Sequence, residues 1–205
     1  MTSALVVDSA VARVCASIAG GDCAVVPDFL PAPIASALAT EARRRDAAGD
    51  FRAARIGRGR DRIVRNDIRG DRTLWLDEQA PARAEIALWR TLETLRVALN
   101  ESTYLGLFAF EGHYALYPPG AFYRRHRDRF RDDDARVLSC VIYLNEAWIA
   151  TDGGALRLHV SAGDARDILP VGGKLVCFLA DRYEHEVLPA ARERLAVTGW
   201  FRRRE

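Results

Sequence analysis

The first half of the chain repeats apolar residues at the spacing of amphipathic helices. Asp8 is a residue type that begins helices well, and apolar side chains follow it three and four positions apart until Gly20. These apolar residues are Val11, Val14, Cys15 and Ile18. Two further helices are predicted, from Pro31 to Gly49 and from Pro81 to Glu101. The last helix has an apolar stripe made of Leu88, Leu92, Leu95 and Leu99.

Short apolar segments and one charged loop separate these helices. The segments Cys23 to Phe29 and Arg72 to Asp77 have the length and composition of strands. Residues Phe51 to Asn66 are rich in glycine and charge and follow neither the helical nor the strand period. This pattern predicts an exposed loop, which includes the arginine-rich run Arg58 to Arg65.

From residue 107 onward the pattern changes to short strands separated by turn residues. The predicted strands are Phe108–Tyr117, Ala121–Asp128, Val137–Asn145, Ala155–Val160, Lys174–Ala180, Glu184–Leu188 and Arg194–Arg203. Such a series is typical of a β-sandwich or jelly roll (double-stranded β-helix), here with N-terminal helices packed on one sheet. We therefore predict an α+β fold in a single domain 1–205, with helical support and a loop in residues 1–106 and a jelly-roll core in residues 107–205.

Composition narrows the classes of function. With 49% hydrophobic residues, the 205-residue chain can bury one sizeable core, and its formal net charge of +2 does not demand a nucleic-acid or anionic-membrane partner. The four cysteines form no Cys-x-x-Cys pair, as expected of free thiols in a reducing compartment. No stretch approaches the roughly 18 continuous apolar residues that a membrane span needs. These features predict a cytoplasmic location without a membrane partner.

Three residues in the second half have the chemistry of a metal site. His126 and Asp128 stand two positions apart on a predicted strand, which places both side chains on one face. His185, on a later strand, offers a third ligand. Two histidines and one carboxylate form the facial triad of non-haem iron(II) oxygenases, which leaves three coordination positions open. Taken alone, a His-x-Asp pair is also compatible with an ordinary charged strand face.

Arg194 strengthens the interpretation as an iron site. It opens the apolar strand Arg194–Arg203, nine residues after His185, and an arginine is not expected to be buried there without a partner. A bound carboxylate that pairs with the guanidinium group in a bidentate manner would explain its position.

With these residues, the sequence resembles the 2-oxoglutarate/Fe(II)-dependent oxygenase superfamily, in particular the hypoxia-sensing type of prolyl 4-hydroxylase and its bacterial relatives. The other matching motifs are Asp67-Ile-Arg-Gly-Asp71 running into Leu74-Trp75, Ala115-Leu-Tyr117-Pro, Val141-Ile-Tyr143-Leu-Asn145 and Gly153-Gly-Ala-Leu-Arg157. The resemblance implies that His126, Asp128 and His185 bind Fe(II) and that Arg194 binds the distal carboxylate of 2-oxoglutarate. It further implies that Tyr143 and Thr198 share that carboxylate and that Tyr117 lines the cosubstrate pocket.

Other residues are implied to contact the substrate. Arg69 and Asp71 match a family loop that closes over a bound protein, and Trp75 and Trp200 match tryptophans near the mouth of the active site. For both tryptophans, and for Tyr117 and Tyr143, packing in the core is the alternative. The Arg58 to Arg65 run stands where animal relatives carry a longer loop, so substrate recognition does not transfer in detail. His113 and His159 show no partner in the sequence and are expected to be structural.

The resemblance implies a dioxygenase that uses Fe(II), 2-oxoglutarate and O2, with ascorbate as a further candidate cofactor. Its implied substrate is a prolyl residue in a protein loop, hydroxylated at C4, and the candidate protein in a bacterium is elongation factor Tu. Succinate and CO2 would be the coproducts.

Two rival functions stay open from the sequence. One is an oxygenase that hydroxylates a free amino acid or another small metabolite, and the other is a jelly-roll module that binds metal without catalysis. The open coordination positions and Arg194 weigh against the module, because structural metal sites are usually closed. Nucleic-acid demethylation is disfavoured because Trp200 stands where that subfamily places a second arginine.

Overall fold

In the described part of the chain the long helices lie in the first half, interspersed with three short strands, and the second half consists mainly of strands, as the pattern predicts. The computed structural model describes residues 2–56, 63–129 and 135–204. Its helices are α1 (Thr2–Ala19), α2 (Ala32–Ala47) and α3 (Ile86–Thr103). Its strands are β1 (Ala24–Val26), β2 (Arg52–Ala53), β3 (Arg72–Trp75), β4 (Ala109–Tyr117), β5 (Tyr123–His126), β6 (Arg136–Tyr143), β7 (Leu156–Ser161), β8 (Asp164–Ile168), β9 (Leu175–Leu179), β10 (Glu184–Val187) and β11 (Arg194–Arg202).

The strands form two antiparallel sheets. The major sheet has the strand order β1-β9-β6-β11-β4-β3-β2, and the minor sheet has the order β5-β10-β7-β8. One apolar core packs the helices against the major sheet, and a second core fills the space between the two sheets. This arrangement confirms the predicted double-stranded β-helix with helices on one sheet.

The leucine stripe of α3 supplies much of the core on the helical side. Leu88, Leu92, Leu95 and Leu99 are each at most 1% exposed. Their spacing of three and four residues places them on one face of the helix, which packs in the same cluster as Leu195, Val197 and other strand residues. In the described ranges, no helix combines the length and the apolar character that crossing a bilayer requires.

Strand β11 divides its side chains between the two cores. Leu195 and Val197 point to the helices, whereas Ala196 belongs to the core between the sheets. Arg194 and Thr198 each stand two residues from Ala196, so their side chains lie on the same face of the strand. Both line the cavity between the sheets. A central strand of the major sheet therefore carries polar side chains into the interior.

The structure differs from the sequence predictions at the start of helix α1 and at strand β8. Helix α1 begins at Thr2 rather than after Asp8, because the alanine and leucine that precede Asp8 are good helix formers and the exposed Asp8 is tolerated inside the helix. Strand β8 was not predicted, because four of its five residues are exposed and it has no apolar alternation. It forms an edge of the minor sheet.

The described parts of the predicted loop Phe51 to Asn66 form strand pairs and a buried contact that the sequence did not predict. Strand β2 pairs with β3, Ile56 and Ile63 form an antiparallel bridge, and Phe51 is buried. Residues 57–62, which include most of the Arg58 to Arg65 run, lie outside the described residues.

Shortening one leucine of the α3 stripe should destabilise the fold. Leu95→Ala removes a fully buried side chain and leaves a cavity, so we expect a loss of about 2–5 kcal/mol in the free energy of unfolding. Val97→Ala on the same helix is the control, because Val97 is 42% exposed and its shortening should change stability by less than about 0.5 kcal/mol. Urea denaturation would measure both, and equal losses would contradict the packing described for α3.

Candidate active site

The minor sheet brings two histidines face to face. Strands β5 and β10 pair so that His126 and His185 lie directly opposite each other, with ring centroids 4.3 Å apart. Asp128 completes the group: its two carboxylate oxygens each lie 3.5 Å from the Nε2 atom of one histidine. One possible ligand atom from each residue lies within 4.8 Å of the others. The three residues selected from the sequence therefore converge at one point.

Backbone carbonyls orient both imidazole rings toward that point. The Nδ1 atom of His126 lies 2.7 Å from the carbonyl oxygen of Arg124, and Nδ1 of His185 lies 3.3 Å from that of Tyr183. A carbonyl only accepts hydrogen bonds, so we assign the proton of each neutral ring to Nδ1. The lone pair of each Nε2 is then directed to the common point, as a metal ligand requires.

The protonation states favour metal binding at neutral pH. Burial lowers the pKa of His185 to about 4, which keeps the imidazole neutral. Burial alone would raise the pKa of Asp128, but the two histidines and the hydroxyl of Ser139 outweigh it and hold that pKa well below its usual range. The site thus offers a neutral nitrogen donor in His185 and an ionised carboxylate in Asp128.

Asp128 lies in a bend after β5 rather than on the strand. The sequence predicted a strand from Ala121 to Asp128, but pairing ends at His126 because β10 opposes only four residues of this segment. The side chains of His126 and Asp128 therefore meet through the bend and not through strand alternation. The two-nitrogen, one-oxygen donor set still fits Fe(II), which is bound in this way in facial triads.

Arg194 is buried at the other end of the same cavity. Its residue exposure is 1%, and its Nε atom donates a hydrogen bond of 2.9 Å to the carbonyl of Gly154. Within the described part of the chain, no carboxylate pairs with it. A buried cation is unfavourable without an anionic partner, so the remaining N–H groups are suited to a bound carboxylate.

Three residues chosen with Arg194 surround this end of the cavity. The guanidinium carbon of Arg194 lies 5.1 Å from the ring centre of Tyr117 and 5.2 Å from that of Tyr143. The Tyr143 hydroxyl is buried and has no hydrogen-bond partner among the described residues, and burial raises its pKa to about 12, so it remains a donor. Thr198 lines the same cavity, four residues along β11 from Arg194.

The cavity extends from Arg194 past the histidines to an aromatic mouth. Its volume is about 1040 Å³, at the upper end of the usual size of ligand pockets. Trp75, which is 49% exposed, and Trp200, which is buried, line its outer part. His113 lies between them, with ring centroids 4.8 Å from Trp75 and 5.7 Å from Trp200. The cavity therefore has room for a small cosubstrate and for part of a larger molecule.

Comparison with known proteins agrees with this geometry. The family model described as the 2OG-Fe(II) oxygenase superfamily matches residues 112–202. The crystal structure of a Pseudomonas putida prolyl-4-hydroxylase is 48% identical in sequence, with a TM-score of 0.86, and the match covers 95% of this chain and 100% of that one. The chain belongs to the 2OG-Fe(II) oxygenase superfamily. Members of this superfamily use Fe(II), 2-oxoglutarate and O2.

Relatives in animals are longer than this oxygenase. Human Egl nine homolog 1 is 33% identical over 187 residues, a match that covers 86% of this chain and 43% of the human protein. The Caenorhabditis elegans hypoxia-inducible factor prolyl hydroxylase is 31% identical over 193 residues, with 87% of this chain and 26% of the relative covered. The chain thus spans half or less of the length of these two proteins.

In the oxygenase, Arg69 and Asp71 form an internal ion pair instead of projecting from a loop. The Nε atom of Arg69 lies 2.7 Å from Oδ1 of Asp71, whose side chain is completely buried. The guanidinium carbon of Arg69 lies 4.4 Å from the ring centre of Tyr123, and that ring stacks on His126 at a centroid distance of 3.6 Å. Arg69 lines the cavity, so its predicted contact with substrate stays a prediction. The pair also supports the ring of one predicted metal ligand.

Several residues of the site were not identified from the sequence. Gly154 adopts a φ of +68°, and a Cβ atom there would lie 2.9 Å from the Cβ of Ala190 and 3.4 Å from Cδ of Arg194. The Gly153-Gly154 motif was the available signal. His159 was expected to lack a partner, but its Nε2 lies 3.1 Å from Oε1 of Glu186. His113 has no hydrogen-bond partner for either ring nitrogen among the described residues, and its place in the cavity depends on strand pairing.

Removing the buried cation should weaken binding of 2-oxoglutarate. We expect Arg194→Leu to lose about 1.5–3 kcal/mol of 2-oxoglutarate affinity, the scale of a hydrogen bond to a charged group, while iron still binds. Arg192→Leu is the matched control, because that side chain is 43% exposed and pairs with Asp152 at the surface. Anaerobic titration of the visible iron–2-oxoglutarate absorption band measures both variants. An unchanged affinity in Arg194→Leu would assign the residue a structural role.

The buried imidazole of His113 should make stability depend on pH. Burial, aided by the charge of Arg69, lowers its pKa from 6.5 to about 4. Between these values the unfolded state binds more protons, so His113 reduces the free energy of unfolding as the pH falls from 6.5 to 4. His113→Phe removes this titrating group. In the metal-free protein, the variant should therefore lose less free energy of unfolding than the parent as the pH falls over this interval, and the difference between the two losses should be at most about 3 kcal/mol. Urea denaturation at several pH values would measure this. If both proteins lost the same free energy of unfolding between pH 6.5 and pH 4, the assignment would be wrong.

Proposed function

We propose that the chain hydroxylates a prolyl residue of a protein substrate at C4, converting 2-oxoglutarate and O2 to succinate and CO2. One observation carries the proposal: His126, Asp128 and His185 share a cavity with the buried cation Arg194. A metal site of this composition leaves coordination positions open, and the cation offers a second attachment point for an anionic cosubstrate. Both features are needed for 2-oxoglutarate chemistry.

In this proposal each residue has a definite task. Nε2 of both histidines and one oxygen of Asp128 bind Fe(II). Arg194 pairs with the distal carboxylate of 2-oxoglutarate, while the Tyr143 and Thr198 hydroxyls donate to it and Tyr117 packs beside it. When bound, the iron and 2-oxoglutarate supply the oxidation, in which one oxygen atom of O2 enters succinate and the other becomes the hydroxyl of the product.

The buried surroundings increase the effect of these residues. Charge–charge attraction is stronger where water is excluded, and Arg194, Tyr143 and Tyr117 are all at most 4% exposed. The guanidinium group is already held by Gly154 and by the two aromatic rings, so little ordering remains for the bound state. The aromatic mouth formed by Trp75 and Trp200 would hold the substrate close to the metal and limit the entry of water.

The choice of a prolyl substrate rests on the relatives. The Pseudomonas putida protein is named a prolyl-4-hydroxylase and matches this chain over its whole length. The Caenorhabditis elegans relative is named a hypoxia-inducible factor prolyl hydroxylase. Within this proposal, elongation factor Tu is the candidate protein substrate that the resemblance suggests. The cytoplasmic location and the use of ascorbate likewise stay predictions.

A small-metabolite oxygenase is the rival that the experiment must separate. Such an enzyme would turn over free proline or another amino acid without any peptide, and its mouth would close over the ligand. The cavity volume of about 1040 Å³ and the exposed Trp75 in its lining favour a larger substrate, part of which stays outside. A non-catalytic metal module would show no consumption of 2-oxoglutarate with either class of substrate.

Incubation of a substrate protein with this chain should add one oxygen atom to a prolyl residue of that substrate. We expect purified elongation factor Tu, incubated with the chain, Fe(II), 2-oxoglutarate and O2, to gain one prolyl hydroxyl group, identified as the C4 isomer by amino-acid analysis. Asp128→Ala is the control, because loss of the carboxylate breaks the triad. Digested extract of bacterial protein and free proline are tested in parallel by mass spectrometry.

Each outcome of that experiment has a distinct meaning. Hydroxylation of another protein in the extract would replace elongation factor Tu but keep prolyl hydroxylation. Turnover of free proline without any modified protein would support the small-metabolite function. Succinate formation at equal rates by the parent protein and Asp128→Ala would contradict the assignment of the metal site itself.

A further inference from the structure

Ser139 reaches the candidate metal site from the middle of the major sheet. It lies on β6, between β9 and β11, where it pairs with Phe178 and Trp200. Its exposure is 1%. The next residue, Cys140, belongs to the core on the helical side, so strand alternation directs Ser139 to the opposite face, toward the minor sheet. Ser139 is thus a small, buried polar residue on a central strand whose backbone is paired on both sides.

The hydroxyl of Ser139 donates a hydrogen bond of 2.7 Å to Oδ2 of Asp128. Each oxygen of this carboxylate also lies 3.5 Å from the Nε2 atom of one histidine, Oδ1 from that of His126 and Oδ2 from that of His185. Asp128 lies two residues beyond the end of β5, so sheet pairing does not set the direction of its side chain. The orientation of the Asp128 side chain therefore depends on side-chain contacts. The contact with Ser139 comes from β6, which is hydrogen-bonded to a strand on each side.

We propose that Ser139 is a positioning residue that keeps Asp128 bound to the metal through one oxygen. This inference rests on the proposed function, in which Asp128 is an iron ligand. A carboxylate can bind a metal through one oxygen or through both, and the second mode would occupy one of the three positions needed for 2-oxoglutarate and O2. Oδ1 receives no hydrogen bond from Ser139, whereas the bond to Oδ2 occupies one lone pair of that oxygen. The hydrogen bond therefore favours binding through Oδ1 alone, which keeps the third position open.

A purely structural role predicts a different result. Buried hydroxyl groups usually form hydrogen bonds. In a purely structural role, the bond to Asp128 would serve only to give the buried Ser139 hydroxyl a hydrogen-bond partner. Removal of the hydroxyl would in that case change stability without changing metal affinity. Hydrogen bonds to ligating side chains, by contrast, typically alter metal affinity 10- to 100-fold when they are lost.

Metal affinity separates the two roles without any substrate. We expect Ser139→Ala to bind Mn(II), measured by electron paramagnetic resonance titration, about 10- to 100-fold more weakly than the parent protein. Ser139→Thr keeps a hydroxyl and should restore the affinity to within a few-fold. Cys140→Ala is the matched control, because it also shortens a small buried side chain of β6 but faces the helices. Its Mn(II) affinity should equal that of the parent.

A second measurement tests the open coordination position. With Fe(II) at saturating concentration and O2 excluded, Ser139→Ala should show a weaker or shifted 2-oxoglutarate absorption band, and Ser139→Thr should show the parent band. Parent-like Mn(II) affinity and absorption in Ser139→Ala would overturn the proposal, as would equal losses in Cys140→Ala. Absence of Mn(II) binding by the parent protein would instead refute the metal site on which the proposed function depends.

Discussion

The pairing of β5 with β10 is the constraint on which the site depends. It places His126 opposite His185, so two imidazoles that are distant in sequence share one cross-strand position. A slip of one residue would turn one ring to the other face of the minor sheet and separate the two nitrogen donors. The carbonyls of Arg124, on β5, and of Tyr183, which immediately precedes β10, then orient the rings. Metal geometry is therefore a consequence of strand register more than of any single side chain.

Burial of Arg194 is the second constraint, and it acts from the opposite sheet. The residue is the first of β11 and is almost fully buried, and a charge in this position is tolerated because the Gly154 carbonyl accepts a hydrogen bond from it and two tyrosine rings pack against it. Without a bound anion, the cation lowers the stability of the fold. The protein thus retains an unfavourable group that becomes favourable when a carboxylate binds, which is how binding sites commonly depart from the rules that stabilise cores.

Sequence alone predicted those parts of the molecule in which residue type carries the information. The leucine stripe of α3 and the strands of the jelly roll follow from periodicity, and His126, Asp128, His185 and Arg194 follow from their donor chemistry and family resemblance. Ser139, His113 and the contact of Arg69 with Tyr123 were missed, because each depends on which strands become neighbours. Strand β8 was missed for a different reason, since an exposed edge strand has no apolar pattern to detect.

The distance between the two sheets determines how long a ligand must be to contact both the metal triad and Arg194. The triad is carried by the minor sheet and Arg194 by the major sheet, and facing sheets in proteins are separated by roughly 10 Å. A ligand that reaches both needs a metal-binding group at one end, a carboxylate at the other and a short chain between them. A monocarboxylate such as pyruvate could bind the metal but would leave Arg194 without a partner. The spacing of the sheets therefore favours a short dicarboxylic 2-oxo acid, because such a molecule satisfies the metal and the buried cation together.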